Sequence, residues 1–201
     1  GVVATWVDLQ LIERLAIEYP NCNIVVVGPL YNVSNVPRRP NIHWLGFKPY
    51  EELAAYAQKF DVGIIPFIQS AMTESVNPIK MWEYMAAGIP VVTTAIPEAS
   101  KYRDLVFPSD NPEQFIFNIE RALKNDTPEL RRQRMALAGE NTWEHRARRI
   151  VEIIEQRLYE KGLSDQMALH AFPPALDGDP NTPDIPGWHI HDNDASFVDG
   201  F

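Results

Sequence analysis

Apolar residues fall along this chain in two interleaved patterns. Residues 22–28 (CNIVVVG), Ile42–Gly46 (IHWLG), residues 61–67 (DVGIIPF) and Val91–Thr94 (VVTT) are short apolar runs, several of them closed by glycine or proline. Such runs suit strands covered on both faces, as in a parallel sheet. Between them the period changes to that of a helix. Leu9, Ile12 and Ala16 recur beside Leu11 and Leu15 behind Asp8, a favoured N-cap, which predicts a helix over Leu9–Glu18. Residues 49–58 open with proline and carry acids in the first turn, again a helix start. Residues 78–88 give a third helix, with Asn77 as expected N-cap, Pro78 as first helical residue and Gly88 as terminator. Residues 1–5 are too short for a full strand. From residue 111 the chain is helical, with starts at Asn111, Thr127 and Asn141; in the last segment Trp143, Ala147, Ile150, Ile154 and Leu158 line one face. Strands alternating with helices predict an α/β fold with a doubly wound parallel sheet, whose ligands bind beyond the carboxyl ends of the strands. That rule selects the loops at residues 29–35, 47–50 and 68–77 as one wall of a site.

Composition sets the boundaries. At 201 residues and 45% hydrophobic, the chain suits one domain, residues 1–162, followed by a proline- and aspartate-rich stretch, residues 163–201, expected to be disordered. The net charge of −9 is unevenly placed: residues 165–201 contain seven Asp and no Lys, Arg or Glu, leaving the rest at −2. This balance argues against nucleic acid as a partner. Cys22, the single cysteine, cannot form an internal disulfide and reads as a small buried residue in a reducing compartment. No run approaches the roughly 18 apolar residues of a membrane span, so a cytoplasmic domain is expected. Six arginines between residues 131 and 149 are expected on a solvated helix surface, with peripheral association to the inner face of a membrane as the alternative.

Several chemistries are excluded or left without support. There is no P-loop, no G-x-G-x-x-G and no glycine-flanked nucleophilic serine. His189, His191, Asp192 and Asp194 resemble metal ligands, but nothing around them is built to hold a metal, and none is expected. His43 reads as a satisfied core or rim residue, His145 as a helix-surface residue. Arg38 and Arg39 lie in a polar loop that is either solvated or turned toward an anion.

The strongest candidate site is the mouth of the third helix. Lys80 falls in its first turn and Glu83 three residues on, so both project from one face. Helix-terminal amides and a lysine suit phosphates, and a carboxylate can accept from both ribose hydroxyls. On spacing alone, a solvated pair at the rim of a buried helix is the simpler reading.

The motif N-P-I-K-M-W-E-Y-M-A-A-G-I-P-V-V resembles the donor-site helix of GT-B glycosyltransferases, in particular a bacterial branch of glycosyltransferase family 4 with the pattern N-P-x-K-x-x-E-Y-x-A-x-G-x-P-V-V. The resemblance runs in order through Trp6-Val7-Asp8, Val27-Gly28-Pro29, Trp44-Leu45-Gly46, residues 49–53, residues 61–67 and Thr142-Trp143-Glu144, covering about residues 1–160. It implies the Rossmann-like C-terminal half of a GT-B fold, with the half's first strand upstream of Gly1 and an N-terminal acceptor domain elsewhere. It further implies a nucleotide-sugar donor, UDP-sugar favoured, with no metal or other cofactor, and an acceptor that is a glycan, a lipid or a small molecule. Carried over residue by residue, Lys80 takes the diphosphate and a catalytic role, Glu83 the ribose, and Phe47 with Lys48 the base. Thr73, Glu74, Ser75, Asn77 and Ile79 are placed at the diphosphate and sugar. Two features depart from the family. Eight residues rather than seven separate Glu74 from Glu83, and the usual early Arg and Lys pair is missing, the first basic residue being Arg14. Other readings are a nucleotide-binding module without activity, a nucleotide-sugar epimerase of similar fold, and an interaction role for the acidic tail.

Overall fold

The structure is a computed structural model that describes residues 1–162. The chain divides into two compact units, Gly1–Ile150 and Val151–Phe201. The first holds the five strands found among the described residues: β1 (Ile24–Val27), β2 (Ile42–Gly46), β3 (Gly63–Ile65), β4 (Val91–Thr94) and β5 (Val106–Ser109). Helices α1 (Leu9–Glu18), α2 (Tyr50–Ala57), α3 (Ala71–Glu74), α4 (Ile79–Ala86), α5 (Pro112–Asn125) and α6 (Pro128–Glu140) connect or follow them. The last helix, α7 (Trp143–Glu160), starts in the first unit and ends in the second. All strand pairs are parallel, as the apolar runs predict.

The strands form two sheets rather than one, β1-β2 and β3-β4-β5. Alternation along β4 shows why these strands are apolar throughout. Val91 packs with Ile65, Met81, Met85 and Val106 on the α4 side, whereas Val92 packs with Leu11, Leu15 and Phe115 on the α1 and α5 side. Helix α1 spans both sheets: Ile12 and Ala16 cover Ile42, while Leu11 and Leu15 join the second core. The predicted caps hold at three helices. Asp8 accepts from the Leu11 amide at 2.9 Å, Asn111 from that of Gln114 at 2.8 Å and Thr127 from that of Leu130 at 3.2 Å.

Two elements go beyond the sequence reading, and three expectations are corrected. Strand β5 and the 3-10 turn Ala99–Tyr102 before it carry no sequence signal; Pro108 within β5 is tolerated because that strand has a neighbour on one side alone. Residues 68–77, expected as open loop, contain the short helix α3. Cys22 is exposed, since it lies in the turn ahead of β1 rather than in the strand. Among the arginines, Arg134 is fully buried and Arg146 stacks its guanidinium 5.6 Å from the Trp82 ring. The His189–Asp194 cluster and the acidic tail lie outside the described residues.

Gly88 ends α4 at φ +78°, and a Cβ there would sit 2.7 Å from Arg131 Cγ. Replacing Gly88 with alanine is expected to cost about 1–3 kcal/mol through the left-handed backbone and this collision. A urea unfolding midpoint unchanged from the wild type would refute that.

Candidate functional site

The site is built on the entry to α4. Pro78, not Asn77, occupies the N-cap position, and it makes no side-chain cap. The Asn77 side chain is committed elsewhere: its Oδ1 accepts from Trp82 Nε1 at 2.9 Å. Trp82 is itself buried, edge-on to Tyr102 at 5.2 Å. The loop entering the helix is thereby tied to the helix's buried face. This fixes the direction from which Lys80 emerges.

Lys80 Nζ donates to Glu83 Oε2 at 2.6 Å, with each side chain about one-third exposed. An ion pair this exposed is worth at most about 1 kcal/mol, so a ligand that satisfies both groups can open it. The pair stands at the carboxyl end of β1. Gly1 donates its amino group to the Val27 carbonyl at 2.7 Å, and a Cβ on Gly1 would fall 2.9 Å from Lys80 Cε. A Cβ on Gly28, whose φ is +143°, would meet the Gly1 carbonyl oxygen at 1.6 Å. Backbone therefore crosses backbone at Gly28, which admits no side chain.

A cavity of about 360 Å³ lies against the pair, bordered by Gly1, Val27, Tyr50, Leu53, Lys80 and Glu83 among others. Tyr84 also lines it. Burial pushes the Tyr84 phenol up to about 12, with Glu83 adding to the effect, so it stays neutral. The site thus combines one cation, one carboxylate and an apolar wall from α2 and the far end of α4. That combination can hold a phosphate-bearing ligand that also presents hydroxyls.

The remaining candidates are placed as follows. Phe47 follows β2 and is 72% exposed, with Lys48 half-buried beside it. Thr73 is buried, and its hydroxyl is spent within its own turn: it donates to the Ile68 carbonyl at 2.7 Å and accepts from the Ser70 amide at 2.8 Å. Glu74 and Ser75 are exposed at the end of α3, and Ile79 is exposed at the start of α4. Lys80 and Glu83 border the cavity; Phe47, Lys48, Thr73, Glu74, Ser75, Asn77 and Ile79 do not. Arg39 pairs with Glu13 on α1 at 2.8 Å rather than facing the site. His43 is satisfied at the rim by Asn23 at 2.9 Å, and His145 by Thr142 at 2.8 Å. Sequence reasoning included Tyr50 at the end of the loop expected to wall the site and missed Tyr84. Both belong to predicted helices, but neither spacing nor composition shows that their helices face a common space.

Parallel strands covered by helices, with a charged helix mouth at the carboxyl end of a strand, define a Rossmann-like domain of the kind that makes up half of a GT-B fold. Residues 7–125 match the family described as glycosyl transferases group 1, and the chain belongs to that family. It is also 30% identical over 162 residues to a Bacillus subtilis (strain 168) protein whose name assigns it to teichuronic acid biosynthesis as a glycosyltransferase, TuaH. That match covers 76% of this chain and 41% of the relative, so the chain spans about two-fifths of the relative's length. Among the described residues, no helix is long and apolar enough to cross a membrane.

Proposed function

We propose that this chain is the donor-binding, C-terminal half of a glycosyltransferase of the family 4 type. It holds a nucleoside diphosphate sugar, UDP-sugar favoured, while an acceptor domain presents a glycan, lipid or small-molecule hydroxyl. The observation that carries this reading is the Lys80–Glu83 pair at the mouth of α4, beside the carboxyl end of β1 and against a cavity. In the transfer, the bond from the sugar's anomeric carbon to the diphosphate oxygen breaks and its electron pair leaves with the diphosphate. The acceptor hydroxyl forms the new bond to that carbon and gives up its proton. Charge therefore grows on the diphosphate, and preorganised donors aimed there lower the barrier. Lys80 and the Ile79 and Lys80 amides can supply such donors without a metal. Glu83 receives the ribose hydroxyls, Phe47 and Lys48 border the base, and residues 73–77 flank the sugar. The name of the Bacillus relative favours an acceptor in cell-envelope polysaccharide synthesis.

Calorimetry of the full-length protein against UDP, GDP, ADP and dTDP tests the reading. One nucleotide, UDP first, is expected to bind. Glu83→Ala is expected to weaken it roughly 10- to 100-fold, the worth of charge-assisted bonds to two hydroxyls. A folded wild-type protein that binds none of the four overturns the assignment.

A further inference from the structure

The Asn77 amide is held so that only its N–H groups can meet a ligand. Asn77 is exposed, and its Oδ1 accepts from Trp82 Nε1 at 2.9 Å. An indole N–H donates and never accepts, so the amide can meet it only with its oxygen. The oxygen is thereby turned inward and the NH2 group is left on the solvent side. Among the described residues nothing accepts from Nδ2, although Asn77 stands three residues before Lys80 at the mouth of α4.

We infer, on the donor-site reading proposed above, that Trp82 is a positioning residue: its indole N–H fixes the Asn77 amide as a donor to the phosphate next to the sugar. Asn77 lies outside the cavity of about 360 Å³ that Lys80 and Glu83 border. Of that pair Lys80, assigned to the diphosphate, is the nearer to it along the helix. An N–H donor at this end suits phosphate oxygens rather than the base or the ribose.

Three features stiffen the hold. Pro78, itself buried, follows Asn77 and restricts the Asn77 backbone to extended conformations. Trp82 is 8% exposed, belongs to the core of Ile65, Met85 and Val91, and meets Tyr102 edge-on. From the start of α7, Arg146 lays its guanidinium 5.6 Å from the Trp82 ring and 5.7 Å from that of Trp143. A backbone carbonyl or a water would satisfy a buried indole N–H as well. An asparagine side chain does more, because it leaves a second polar group whose direction the core sets. Such a donor needs no reorganisation when the ligand arrives.

A double-variant cycle in the full-length protein tests this, read as affinity for UDP or for whichever of GDP, ADP and dTDP the wild type binds. Trp82→Phe keeps a ring in the core and removes the N–H; it is expected to weaken binding about 3- to 10-fold, the worth of one neutral hydrogen bond. Asn77→Ala should weaken it about 10-fold, and the double variant should match Asn77→Ala within about twofold. Losses that multiply overturn the inference, because Trp82 then supports the mouth of α4 generally rather than through the amide. Asn77→Asp tests the same point without touching the core: its carboxylate still accepts from the indole, has no N–H to give and sets a negative charge at the phosphates. It is expected to weaken binding about 30-fold or more with the melting temperature unchanged. Wild-type affinity in Asn77→Asp, or in Trp82→Phe, overturns the role of Trp82 and leaves the donor site standing. A wild type that binds none of the four nucleotides removes the donor site itself.

Discussion

Lys80→Ala in the full-length enzyme is expected to lower turnover by about 10²-fold or more while leaving the Michaelis constant for the donor within a few-fold. The asymmetry follows from when charge appears. The ground-state diphosphate is already charged and solvated, and in the proposed complex the amides at the start of α4 share in holding it. The additional charge delivered when the sugar–oxygen bond breaks is what a positioned ammonium stabilises. Lys80 stands in the first turn of α4 beside Gly1, and in the proposed reading it faces that oxygen rather than the base or ribose. Loss of folding does not confound the measurement. The Lys80–Glu83 pair is partly exposed and worth at most about 1 kcal/mol, so the melting temperature should move little. Removing Lys80 also releases Glu83, leaving the carboxylate free for the ribose. Single-turnover kinetics separate chemistry from product release, and Lys80→Arg should recover part of the rate by restoring charge with a different geometry. Wild-type turnover in Lys80→Ala would sink the role assigned to this residue.

The local geometry at the mouth of α4 is legible in the sequence. Lys80 and Glu83 share a face because helical spacing dictates it, and the start of α4 was marked by Asn77 and Pro78 within a residue. What spacing could not reveal was competition for those same groups. Asn77 is a good cap in isolation, but the Trp82 indole five residues on claims its oxygen. Thr73 looked like a hydroxyl offered to a ligand, yet its turn consumes it.

The sheet shows the same division. Each apolar run became a strand because burial on both faces needs no partner-specific information. That β1 and β3 do not touch is a property of pairing, which periodicity does not encode. Strand β5 escaped notice because four residues including Pro108, behind a polar stretch, carry too little pattern to outweigh a loop. Arg134 was hidden among similar arginines on a helix of weak amphipathicity. Its burial depends on Gly88, 46 residues away in sequence.

That arginine gives the largest expected effect on stability. Arg134→Met is expected to destabilise the folded domain by about 3 kcal/mol, since it leaves the buried Gly88 carbonyl without its two charge-assisted donors. Arg134 is 1% exposed. Its Nε and Nη2 donate to the Gly88 carbonyl at 3.2 and 2.8 Å, and Nη2 also donates to Asp126 Oδ1 at 2.6 Å. The Gly88 carbonyl lies just past the end of α4, where backbone acceptors run out of helical partners, so the guanidinium serves as its cap from α6. Methionine fills similar volume and isolates the loss of bonds from the loss of packing. Asp126→Asn should cost less, about 1 kcal/mol, because the asparagine amide oxygen keeps an acceptor before Nη2 and the Gly88 carbonyl still receives both of its bonds from the guanidinium. Arg134→Lys should fall between them, since one ammonium cannot reach both acceptors with the planar fork it replaces. Thermal unfolding distinguishes these cases, with a shift of roughly 2–4 °C expected per kcal/mol for a chain of this size. If Arg134→Met melts with the wild type, apolar contacts alone fasten α6 to α4. The ordering Arg134→Met, Arg134→Lys, Asp126→Asn instead assigns the fastening to the guanidinium, and with it the anchoring of the helix whose other end carries Lys80.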